Sequence, residues 1–155
     1  MVITPQQLEA LLPLAGEWAA EQERTILQSG VPLTEAQLAD ARKIGVTHPE
    51  RVRLLRVVQI PTPSHPALAA AAAETNLISP STGGMTLRYG IFIRTDCWGQ
   101  RPIIAHELVH TSQYERLGGF EAFLRPYLLE CLTPPGYPYG PMEQEAITSS
   151  ERLCA

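Results

Sequence analysis

The chain has 155 residues, 45% of them apolar and 18% charged, enough for one hydrophobic core, too few for two comfortable ones and unlike a disordered polyelectrolyte. Its net charge of −4, with twelve Lys and Arg scattered apart from Arg51, Arg53 and Arg56, leaves no basic footprint for nucleic acid. No stretch approaches a membrane span and MVITPQQLEALL lacks a secretory signal's basic and apolar regions, so the expectation is a cytoplasmic protein without a membrane partner.

The first elements read as scaffold. Thr4, Pro5 and Gln7 form an N-cap, a first-turn proline and a capping-box partner, opening a helix to about Gln28, before Gly30. Pro13 lies inside it and is expected to break or kink it near Leu12. Thr34 with Gln37 repeats the capping box, and Gly45 closes a short second helix. Residues 1–46 thus read as a helical N-terminal extension to a single domain spanning 1–155, with Trp18 and the Leu8, Leu11, Leu12 cluster as core packing.

From Arg51 to Ile60 the sequence RVRLLRVVQI reads as a strand, ending at Pro61-Thr62-Pro63. His48 and His65 each precede a proline and read as turn or cap residues. ALAAAAAETN then has strong helix propensity, and its small side chains allow close packing. MTLRYGIFIRT, from Met85 to Thr95, reads as a strand with Gly90 as a bulge.

Next comes PIIAHELVHTSQYERLGG, containing His106-Glu107-Leu108-Val109-His110. Pro102 suits a first turn and Gly118-Gly119 a stop, so the helix runs from about 101 to 117. Residues four apart share a helix face, which lets both imidazoles aim at one metal ion with Glu107 beside them, the H-E-x-x-H arrangement of a zinc hydrolase site. Ile103, Ile104, Leu108 and Val109 lie opposite or beside that face, as a half-buried helix requires.

A further helix, FEAFLRPYLLECL, is expected to bend at Pro126. The run from Thr133 to Pro141 carries four prolines and two glycines and must be a loop, after which Pro141 starts a last helix with Glu143 and Glu145. Cys97, Cys131 and Cys154 are an odd number without CxxC spacing, which argues against a disulfide framework or a Cys-based zinc site.

A catalytic zinc takes three protein ligands and keeps one position open. His106 and His110 supply two, and no histidine follows His110, so the third falls to a downstream carboxylate: Glu115, Glu121, Glu130, Glu143 or Glu145. HELVH followed some thirty residues later by PMEQEA resembles the gluzincin arrangement, in which a second helix supplies a zinc-binding glutamate with a small residue three positions on. The resemblance implies Glu143 as third ligand, with Ala146 as the small residue, and leaves Glu145 as the alternative.

The stretch Arg51 to Ala146 is also similar to the peptidase-like core domain of contractile injection system proteins, whose HELxHxxQ helix is matched by Gln113. Together these imply a zincin-like α+β fold, mostly helical, with a small mixed or antiparallel sheet packed against the HExxH helix. The pattern departs from many gluzincins at Ile147, where an aspartate would orient a zinc histidine; Glu145, Asp96 and backbone carbonyls are the available substitutes.

The function expected is that of a zinc-dependent metallopeptidase with one Zn2+ per chain and Glu107 as general base, acting on a peptide or protein laid along an edge strand near residues 86 to 94. Tyr114, Tyr137 and Tyr139 are candidate donors to the tetrahedral intermediate. The competing readings are a non-catalytic zincin-like protein-binding module and a hydrolase for another amide or ester. Glu107 favours catalysis, because a structural zinc site needs no base.

Overall fold

Both capping boxes form as the sequence dictates. Thr4 Oγ1 accepts from Gln7 N while Gln7 Oε1 accepts from Thr4 N, opening α1 (Pro5–Ser29), and Thr34 and Gln37 repeat the exchange at α2 (Glu35–Ile44), which Gly45 closes in the left-handed conformation. These belong to a computed structural model that describes residues 3–79 and 82–155. Pro13 does not interrupt α1. It lies on the exposed face, as does Glu9 one turn earlier, where water can satisfy the carbonyl the proline leaves unpaired.

Among the described residues the fold is α+β, with six α-helices and one mixed four-stranded sheet in the order β1-β2-β4-β3. After α2 come β2 (Arg53–Val57), α3 (Pro66–Glu74), β3 (Gly84–Leu87), β4 (Gly90–Arg94), α4 (Arg101–Leu117), α5 (Phe120–Leu132) and α6 (Pro141–Cys154). β2 is shorter than expected because Pro49–Arg51 forms a 3-10 turn before it. It pairs parallel with β4 and antiparallel with β1, the two residues Val31–Pro32.

The expected single strand over residues 85–95 is instead a hairpin. Arg88 takes a left-handed conformation (φ 61°) and with Tyr89 turns the chain between β3 and β4, so Gly90 opens a strand and is not a bulge. Its glycine is required for another reason: an added Cβ would meet Ile26 Cβ at 3.0 Å, where α1 crosses the strand. Glu23 of α1 fastens the turn, taking two hydrogen bonds from the Arg88 guanidinium (2.8 and 2.7 Å) and one from Tyr89 N. Of the two hairpin strands only β3 lies at a sheet edge, since β4 sits between β2 and β3.

β4 is buried on both faces and divides the core. Phe92 joins Leu8, Leu12 and Ile26 of α1 with Phe123 and Tyr127 of α5, while Ile91 and Ile93 join Ala41 of α2 with Ile104 and Leu108 of α4. The N-terminal segment thus supplies residues to both clusters. α5 runs unbroken through Pro126. No helix among the described residues is long and apolar enough to cross a membrane.

Candidate metal centre

α4 spans Arg101–Leu117, the bounds its sequence signals give, with Pro102 in the first turn and Gly118 in the left-handed conformation at its end. Leu108 and Val109 are buried, which turns His106 and His110 to the remaining face. The imidazole rings stand edge to face, 5.0 Å between centroids. His110 is buried (6% exposed) against the edges of Phe123 and Tyr127, and His106 is half-buried.

α6 packs along α4 and delivers the third group. Glu143, 5% exposed, sets Oε1 2.6 Å from His106 Nε2 and Oε2 3.1 Å from His110 Nε2. The donor atoms of His106, His110 and Glu143 all lie within 4.8 Å of one another, so the cluster could hold a metal ion. Two imidazole nitrogens and a carboxylate are the donor set of a three-ligand zinc site, and they converge from two helices.

Electrostatics bind the cluster together. Burial pushes the Glu143 carboxyl up, but hydrogen bonds and charge from His106 and His110 outweigh it and hold the pKa well below the carboxylate range. Burial lowers His110, yet the hydrogen bond to Glu143 and the charges of Glu107 and Glu143 leave it raised. Tyr127 donates to Glu143 Oε2 at 2.7 Å, and burial beside that carboxylate keeps its phenol protonated well above the usual value.

The position of Glu143 depends on how α6 begins. Glu130 of α5 accepts from Met142 N at 2.8 Å, satisfying one of the donors a helix start leaves open. A Cβ at Gly140 would lie 2.7 Å from Glu130 Cβ, so only glycine admits this approach.

Gln113 orients His110 in place of the absent aspartate. Its amide nitrogen donates to Met142 O (2.9 Å) and to Glu145 Oε1 (2.7 Å), both acceptors, which turns Oε1 to His110 Nδ1 at 2.8 Å. Nδ1 must then carry a hydrogen, so it is Nε2, hydrogen-bonded to Glu143 Oε2, whose proton a metal ion would displace. Glu145 belongs to this support, paired also with Arg116, and does not reach the cluster. Replacing Gln113 by Leu should weaken retention of a metal ion by the cluster about tenfold to a hundredfold, read by competition with a chelator of known affinity. Unchanged retention would remove Gln113 from the site.

Glu107 faces β3. Thr86 Oγ1 sits 2.8 Å from Glu107 Oε1 and 2.9 Å from its backbone oxygen. A Cβ at Gly84 would come within 3.0 Å of Glu107 Cγ and 3.3 Å of Oε2, so glycine makes room for the carboxylate. Among the described residues Oε2 takes no hydrogen bond from the protein, and Glu107 lines a cavity shared with His106, His110 and Glu143.

The remaining candidates go elsewhere. Glu115 accepts from Thr47 N, His48 N and the Tyr89 hydroxyl. Asp96 pairs with Arg94. His65 caps α3 by accepting from Ala67 N, as its place before proline suggested. Of the tyrosines, Tyr114 is 1% exposed and stacked on Phe123, Tyr139 points to solvent, and Tyr137 lines the cavity. Burial, with the charges of Glu143 and Glu107, pushes the Tyr137 phenol up to about 12.

Sequence reasoning missed Thr86, Gly84 and Tyr127. Their roles arise from contacts between distant segments, and only the Gly83-Gly84 pair ahead of an apolar run offered a signal.

The chain matches no family model, no curated protein and no solved structure. Its functional reading therefore rests on the site itself.

Proposed function

We propose that the chain is a zinc-dependent peptidase of gluzincin type, with a zincin-like fold, in which His106, His110 and Glu143 hold one Zn2+ and Glu107 is the general base. The observation that carries this reading is the convergence of Glu143 on both histidines beside a carboxylate whose Oε2 is left to the cavity. Zinc in that cluster would supply a Lewis acid for a substrate carbonyl and would acidify the attacking water.

The chain's own groups perform the rest. Glu107 takes the proton as the water oxygen adds to the carbonyl carbon, and returns it to the amide nitrogen as the C–N bond breaks. Thr86 holds the base by one oxygen, so the other keeps a fixed aim. Tyr137, kept protonated, is the donor for charge developing on the carbonyl oxygen. Tyr127 holds Glu143 in place and, being committed to it, serves as a positioning group.

β3 provides the place for an extended peptide. Ladder bonds join Met85 to Phe92 and Leu87 to Gly90 across the two-residue turn, and Arg94 N donates to Gly83 O beyond them, so the backbone groups of Gly84 and Thr86 point away from β4. A substrate strand pairing there would pass alongside Glu107.

The deciding measurement is zinc content per chain after dialysis against buffer free of chelator. About one zinc in the wild type and little in His110→Ala is expected; a wild type that cannot take up one equivalent would sink the reading. Zinc uptake without cleavage of any peptide would leave a non-catalytic binding module.

A further inference from the structure

His106, Glu107, His110 and Glu143 line one end of a cavity of about 140 Å3 in all, which extends inward between α1, α3, β3 and α5. Leu8, Leu11 and Trp18, expected from the sequence as plain core, form its α1 wall, and Ala71 and Ala72 its α3 wall. The alanine run is what keeps it open, because larger residues on that face of α3 would fill it. The hydroxyls of Thr75 and Thr86 on the wall are engaged within the protein: Thr75 donates to Ala71 O and Thr86 to Glu107. Among the described residues, the lining beyond the cluster carries no charged side chain.

We infer that this cavity receives one large apolar side chain, aromatic or branched aliphatic, from the residue next to the bond that is cut. The inference rests on the peptidase reading and adds its substrate class. Size selects the occupant: a leucine- and phenylalanine-lined cavity of about 150 Å3 is known to take benzene, so this volume suits a single phenylalanine or leucine side chain and is too small for a long acyl chain. Continuity with the cluster places that side chain's backbone at the metal, and the outward groups of Gly84 and Thr86 pair the flanking chain. A charged side chain would lose its hydration without finding a partner.

The test uses zinc-loaded protein and three hydroxamates, read by calorimetry: acetohydroxamate, and the hydroxamates of N-acetylphenylalanine and N-acetylglutamate. The phenylalanine compound should bind about tenfold to a hundredfold tighter than acetohydroxamate, and the glutamate compound no tighter. Ala71→Phe and, independently, Ala15→Leu should erase the gain while zinc content stays at one per chain. Equal affinity for the three compounds in zinc-loaded protein overturns the pocket assignment and leaves the metal centre standing. Failure of the wild type to take up zinc overturns both.

Discussion

Glu107→Gln should retain zinc at the wild-type level and cleave peptides about 10²- to 10⁴-fold more slowly, the range associated with losing a positioned general base. The substitution suits the site because a glutamine Oε1 can still accept from Thr86 and its side chain fits the same gap against Gly84. What it removes is the second carboxylate oxygen, the one facing the cavity, and with it the capacity to carry a proton. Cleavage of a mixed peptide library, followed by mass spectrometry with zinc content measured on the same samples, separates lost chemistry from lost metal. A variant as active as wild type would exclude Glu107 as the base.

Zinc should also raise thermal stability, and the size of the rise identifies the third ligand. A metal bound only by the folded chain stabilises it by about 4 kcal/mol at a thousand times its dissociation constant. For a protein of this size that corresponds to roughly 8 to 16 °C in melting temperature. Glu143→Gln should abolish the shift, because His106 and His110 lose the carboxylate that bridges α4 to α6. Glu145→Gln should keep most of it, since Glu145 acts through Gln113 and Arg116. The opposite ranking, with Glu145 essential and Glu143 dispensable, would reassign the ligand. Magnesium, which prefers oxygen donors and retains its waters, should give no comparable shift.

How much of this could be read from the residues in order depended on how local the cause was. The capping boxes at Thr4 and Thr34 and the limits of α4 come from contacts within one turn, and they stand where the signals put them. The hairpin was hidden because Arg88-Tyr89 carries none of the Gly, Asn or Asp that mark such turns; Glu23, far away on α1, holds it instead. Pro13 and Pro126 illustrate the converse, since packing and an exposed face let helices continue past a residue that locally opposes them. Glu143 stood among five carboxylates by elimination and stood out only by resemblance. Its arrival at both histidines requires Glu130 at the start of α6, a contact no linear pattern announces.

Thr86 joins two jobs in one residue: its backbone belongs to the terminal strand β3 of the sheet, and its hydroxyl holds Glu107. On the proposed peptidase reading, a substrate strand that stiffens this edge on pairing would stiffen the base as well. A site built this way would be gated mechanically by its occupant. On that reading, a short, poorly paired peptide would leave the carboxylate on a looser tether and a fully extended one would lock its aim, making the length of the paired segment a control on turnover as well as on binding.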